Sequence, residues 1–500
     1  MKVILGGYNL DRETIDQLQS THPEALNLTP ETVAAAYARI SRNPKPVDEL
    51  RQIARLDVEK SRQSNRNIVF EMGHSSIAEH AVFNIDVIGV SRLAVEEIEK
   101  FRLASYTEKS QRYVLLQDDF VIPAEIAGSD LEQDFITTVR EQNGLYHELY
   151  AKLKPYVFAQ HQGLAADPAN RSTLEGWAKE DARYIISLAT ETQLGMTLNA
   201  RNLELMLRRL AAHPLQEVVQ AGREIYGVTR HVAPSLIRYT EATDYDRLTK
   251  KAMQDWLSSH ARGSLQVGNT EEGRQSRSTG QTSETVSLIR STPDADNIVA
   301  ASLIYKASHL PMPQCRDLAA KMTEAEKEEL VKTAFRYMKP YDAVLREFEF
   351  VDMQFELITS ASCFAQMKRH RMATITCQDY NPGLGVTVPL AIEAVGMDGA
   401  FREMIKRTEA TYEKILKSKP QAAPYILTNA HRKRVAMKVN ARELYHMARL
   451  RADGHAQWDI RQVAMQMTEL GRQVMPLTMM LATGKDGFAA LHERMFSTEP

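Results

Sequence analysis

Two clusters in the chain carry residue types suited to gripping an anion. The first is Ser105-Tyr-Thr-Glu108-Lys-Ser110-Gln-Arg112-Tyr113, followed later by Glu180-Asp-Ala-Arg183. The second is Gln366-Met-Lys-Arg369-His370-Arg371, followed by Asn440-Ala-Arg442 and then by Arg451 and His455. Guanidinium forks and hydroxyls are the donors that a phosphate or pyrophosphate takes up. A glutamine amide such as that of Gln366 offers one acceptor and a directional donor to the edge of a polar ring. Each feature alone has a plainer reading. Lys368 to Arg371 is also a solvated basic face, and Ser105 and Ser110 are also N-caps. Arg451 to His455 is also a helix end broken at Gly454 with a basic last turn. His74 and His80 read as capping or core histidines, and the methionines from Met465 to Met480 as core filler. No GxGxxG follows a strand, so a Rossmann dinucleotide site is not supported. Three cysteines, Cys315, Cys363 and Cys377, form no CxxC pair; structural disulfides, a cysteine zinc site and a bound metal are not expected.

These residues need a scaffold, and the chain of 500 residues is long enough for two to four domains. With 62 Lys+Arg against 64 Asp+Glu the net charge is −2, which disfavours a nucleic-acid coat or a membrane-surface protein. No run of about 20 apolar residues exists to span a bilayer. The start MKVILGGYNLDRE does not read as a secretory signal, and a cytoplasmic location is expected. Residues 261–283 are rich in Gly, Ser and Thr and read as a linker or mobile loop. Blocks on either side of it match in the same order. A Thr-Pro-acid helix start occurs at Thr29 and at Thr292, read with Thr as N-cap and Pro at the first helical position. An alternating strand follows Glu79 and another follows Glu347, and Asn-Ala-Arg recurs at Asn199 and Asn440. The expectation is a duplicated α+β domain over 1–255 and 284–500, joined by 256–283. Each copy should be a small antiparallel sheet packed with several helices.

The segments around Arg112 and Arg369 resemble the signature of the flavin-dependent thymidylate synthases, the ThyX family: R-H-R, two residues, S-x-N-x-x-S-x-R-Y. Asn440-Ala-Arg-Glu-Leu-Tyr-His-Met-Ala-Arg-Leu-Arg451-Ala-Asp-Gly-His455-Ala-Gln-Trp-Asp resembles that family's N-A-R…L-R-A-D-x-H-A-Q-W-E run. The likeness covers most of both halves. It departs from the pattern at Thr107, Thr374 and Thr376, which stand for Asn, Ser and Asn.

The halves are worn in different places. The first keeps Ser105, Glu108, Ser110, Arg112, Tyr113 and Arg183, but has Lys100-Phe101-Arg102 for R-H-R and Glu97 for Gln. The second keeps Gln366 and Arg369-His370-Arg371, but has Asp379-Tyr-Asn381 for S-x-R and Ala423-Pro424 where the first has Ala182-Arg183. The resemblance implies one composite site per pair of unlike domains, with the mirror site dead. Glu108, Ser110, Arg112 and Arg183 would bind the nucleotide phosphate and sugar. Gln366, Arg369 and Arg451 would hold and polarise the base. Ser105, Arg369, His370, Arg371, Asn440, Arg442 and His455 would hold FAD. The implied reaction is methylation of dUMP to dTMP with methylenetetrahydrofolate and NADPH as co-substrates, in a homodimer of tandem chains. Its partner is a small-molecule nucleotide, with neither nucleic acid nor membrane involved. The alternatives are a related flavin enzyme acting on another pyrimidine nucleotide and a non-catalytic nucleotide- or flavin-binding protein.

Overall fold

A computed structural model describes residues 1–18, 28–260 and 285–496. The two halves build the same sheet. In the first, β1 (Lys2–Tyr8), β2 (Val82–Ser91), β3 (Ala104–Glu108) and β4 (Glu191–Asn199) lie antiparallel in the order β1-β2-β4-β3. In the second, β5 (Val286–Ser291), β6 (Asp352–Ser360), β7 (Thr374–Cys377) and β8 (Arg432–Asn440) take the order β5-β6-β8-β7. The central pairs share a register: Val82 faces Asn199 and Asp352 faces Asn440, while Ser91 faces Glu191 and Ser360 faces Arg432.

Alternation explains the strands. Phe83, Ile85 and Val87 of β2, like Met353, Phe355 and Leu357 of β6, are wholly buried, and the residues between them are not. One face of each sheet therefore packs on a core. The repeat is off by one residue because β2 carries a bulge at Gly89, whose φ of 72° suits a residue without a Cβ. The strands start at Val82 and Asp352, later than the expected Glu79 and Glu347, which lie in 3-10 turns. The Thr-Pro helices also begin later than expected. Pro30 is itself the cap of Glu31–Ile40, and Thr29 Oγ accepts from Glu31 N. Thr292 instead ties β6 through Asp352 N, and the helix Ala295–Ala307 starts after Asp294.

Packing divides the chain differently from the repeat. One compact unit gathers the described residues up to His260 together with 390–428; the other holds 285–389 and 429–496. The helix Asp398–Ser418, though from the second half, packs in the first unit against the long helix Glu132–Gln160. Gln142 Nε2 donates to Thr408 Oγ1 (2.8 Å) and to Ile426 O (3.0 Å), and Lys414 pairs with Asp134 at 2.6 Å. Of the expected linker, 256–260 end the helix Asp244–His260, and 261–283 lie outside the described residues. Among the described residues no helix is long and apolar enough to cross a membrane, and no group of His, Cys, Asp and Glu could hold a metal.

Candidate active site

Four side-chain caps fix which residues of the two halves are equivalent. Ser91 accepts from Ala94 N and Ser360 from Cys363 N, each starting the helix after the second strand of its sheet. Asn199 accepts from Asn202 N and Asn440 from Glu443 N, each starting the helix after the fourth strand in chain order. Counting from these caps pairs Arg92 with Ala361, Glu97 with Gln366 and Lys100-Phe101-Arg102 with Arg369-His370-Arg371. The same count pairs Glu108 with Cys377, Ser110 with Asp379, Arg112 with Asn381, Asn202 with Glu443 and Leu210 with Arg451. The buried Tyr184 and Tyr425 align Arg183 with Pro424.

Some pairs do identical structural work in both halves. Ser91 Oγ donates to Glu217 and Ser360 Oγ to Asp459, both at 2.6 Å. Arg201 pairs with Glu79 at 2.5 Å and Arg442 with Glu349 at 2.9 Å. Asn440 and Arg442 thus have a local cause for being where they are, a cap and an ion pair shared with the half that lacks R-H-R. They are scaffold in both copies, whatever else they touch.

The remaining positions differ, and they cluster. In the first unit Arg112 Nε meets Glu180 at 2.5 Å, Arg92 pairs with Glu108, and Ser110 Oγ accepts from Arg112 N at 3.1 Å. Arg183 is buried at 7% exposure. Burial pushes its guanidinium down from the usual arginine range, Glu180 opposes that, and the charges of Arg112 and Arg92 add to it. The charges of Arg112 and Arg92 thus both bear on Arg183. A cavity of about 30 Å³, room for roughly one or two waters, is lined by Ser110, Arg183, Lys109, Tyr146, Asp119 and Glu191 among others. Ser105 stands exposed on β3 opposite Thr197. Arg92 was missed by motif reading; its signal was the contrast of Ser-Arg with Ser-Ala at the same cap. In the second half the equivalents Ala361, Cys377, Asn381 and Pro424 carry none of these charges.

In the second unit Arg369 and Arg371 are exposed while His370 between them is 3% exposed. His370 therefore does not share the outward face expected of all three; its ring is held inside by Arg451 and Glu443. Gln366 Nε2 donates to Gln457 Oε1 (3.2 Å) and Ser362 O (3.4 Å). Arg451 Nη2 reaches Gln366 O at 3.5 Å, so the two are neighbours. His455 is 95% exposed in its side chain and bonds Asp453 at 2.8 Å. Burial pushes the Cys363 thiol well up, so that cysteine is no nucleophile.

The mirror position in the first unit is closed on itself. Glu97, standing where Gln366 stands, pairs with Lys100 at 2.5 Å and His213 at 3.3 Å. Burial alone would raise its pKa, but His213 and Lys100 outweigh that and hold the carboxyl at about 2. A folded pKa below the usual 4.5 adds stability above that pH, and the contribution fades as pH falls from about 4.5 through about 2. It is on the order of 3 kcal/mol. Glu97→Gln should therefore flatten the acid limb of a thermal-melting profile in this window and leave flavin binding alone; an unchanged limb would show that Glu97 is not held this way.

The sequence profile described as thymidylate synthase complementing protein matches residues 25–235 and 287–477. A flavin-dependent thymidylate synthase of Clostridium tetani is 31% identical over 215 residues, 42% of this chain and 82% of its own length. Other relatives span both halves. A UPF0159 protein of Chlamydia pneumoniae is 23% identical over 433 residues, covering 84% of this chain and 79% of its own. A UPF0159 protein of Thermoplasma acidophilum is 23% identical over 488 residues, covering 88% and 93%. The doubled match, the doubled sheet and the shared caps agree: the chain belongs to the thymidylate synthase complementing protein family, the flavin-dependent thymidylate synthases, and carries that domain twice.

Proposed function

We propose that the protein methylates dUMP to dTMP with methylenetetrahydrofolate as carbon donor and NADPH as reductant of a bound FAD. One observation carries this reading. The scaffold pairs Ser91/Glu217 and Ser360/Asp459 are kept in both halves, whereas most residues suited to chemistry, Ser110, Arg112 and Arg183 in the first half and Gln366, His370 and Arg451 in the second, occur in one half only, and in complementary sets. Losses falling at random on the two halves would not leave complementary sets.

The first set, Arg112, Arg183, Ser110 and Glu108 with Arg92 beside them, takes the nucleotide phosphate and sugar. An anion there offsets the charges of Arg112 and Arg92 that bear on the buried Arg183. In the second set Gln366 Oε1 accepts from the ring N–H of the uracil, and Arg451 polarises a ring carbonyl as negative charge develops. The exposed Arg369 and Arg371 suit the FAD pyrophosphate, with Ser105 and His455 as further polar contacts. The flavin, when bound, supplies the hydride; no cysteine is required. A complete centre needs both sets, so each chain has material for one.

The test is direct. Purified protein incubated with FAD should be yellow, dUMP should perturb its flavin absorbance, and the full set of co-substrates should yield a product of dTMP mass. Methylation of a different pyrimidine nucleotide in preference to dUMP would correct the substrate, and protein that cannot be loaded with flavin would refute the reading.

A further inference from the structure

We propose that His370 is a positioning residue that fixes the guanidinium of Arg451, and is not itself a contact of flavin or substrate. Its Nε2 accepts from Arg451 Nε at 3.1 Å, and its Nδ1 faces Glu443 Oε1 at 3.5 Å. With one ring nitrogen accepting from a guanidinium, the proton must sit on the other, which turns toward the carboxylate. The groups facing the ring are Arg451, Glu443 and, edge-on at 6.1 Å, His446. Burial pushes the imidazole pKa down, Glu443 opposes this and Arg451 adds to it, so the neutral acceptor form is the one present at neutral pH. At 3% exposure the ring has no face left for a ligand, whereas its neighbours Arg369 and Arg371 are exposed.

The first half supplies the comparison. There the three equivalent positions are Phe101, Asn202 and Leu210, so imidazole, carboxylate and guanidinium are absent together. Leu210 is buried at 2% exposure, and Asn202 Nδ2 turns back to Asn199 at 2.8 Å. A histidine retained only for packing would not be tied to the fate of two partners on another helix. Between the two halves the three members of the chain Glu443–His370–Arg451 are present together or absent together, as expected where a second layer of hydrogen bonds orients a residue touching substrate. This inference rests on the reading above in that Arg451 is taken to meet the nucleotide.

The experiment uses the full chain with His370→Phe, His370→Gln, Arg451→Met and the double variant H370F/R451M. Dissociation constants are read for FAD and, on loaded protein, for dUMP, together with thermal midpoints. H370F should weaken dUMP binding by about tenfold and leave the FAD constant within about twofold, while H370Q, which can still accept from Arg451, stays within about threefold of wild type. H370F should add nothing once Arg451 is Met. A tenfold loss of FAD affinity in H370F, or losses of dUMP affinity that multiply in the double variant, would overturn the proposal. Wild-type protein that binds neither ligand would refute the functional reading instead. The contact is then judged on the midpoints alone: a double-variant loss smaller than the sum supports it, and additive losses sink it.

Discussion

Arg112→Ala is expected to weaken dUMP binding by at least about a hundredfold, with FAD binding unchanged. On the proposed reading the guanidinium is a charged donor whose removal takes away hydrogen bonds to an anion, each worth roughly 1.5–3 kcal/mol. A second effect must be separated from this one. Glu180 is 6% exposed, and losing the ion pair with Arg112 weakens the compensation of a buried carboxylate, so the thermal midpoint will fall as well. Arg112→Lys resolves the two. It retains a cation for Glu180 but not the planar fork, so stability should largely return while dUMP affinity stays low. The mirror variant Asn381→Ala should change neither ligand's affinity by more than about twofold. Equal damage from both alanine variants would mean that the halves do not divide the work.

The second large effect is expected at Arg369. Because it is exposed, Arg369→Ala should leave the thermal midpoint within the small range of ordinary surface changes, about 0.5 kcal/mol. FAD affinity should nevertheless fall by about thirtyfold or more, as befits a lost guanidinium–phosphate contact, and turnover should fall with it. Lys100→Ala at the equivalent position of the first half is the control. Lys100 is already engaged by Glu97 at 2.5 Å, so its loss should leave flavin loading at wild-type level. A flavin titration on the three proteins checks this, and a Lys100→Ala variant that loses flavin as Arg369→Ala does would contradict it.

Much of the architecture could be read from the sequence because its signals are local. The alternation in β2 and β6 and the recurring Asn-Ala-Arg report burial and capping that a short window contains. Three features were out of reach for the opposite reason. The helix Asp398–Ser418 packs in the first unit through residues such as Thr408 and Thr411, whose partners lie more than 260 positions away. His370 sits between two arginines and reads as part of a basic face; only a helix some 80 residues on shows that it points inward. The bulge at Gly89 shifts the repeat by one residue, which blurs the match of β2 to β6. Arg92 and Glu443 were within reach. Each sits at a fixed distance from a cap, and comparing the halves from Ser91/Ser360 and Asn199/Asn440 exposes both.

Ligand stoichiometry bears most directly on the division of labour between the halves. Titrating the purified full chain with FAD, and then the loaded protein with dUMP in a calorimeter, should give one flavin and one nucleotide per 500-residue chain. Two of each per chain would show that the half carrying Asp379 and Asn381 still grips a phosphate and that the half carrying Glu97 and Phe101 still holds a flavin, and the account would be wrong.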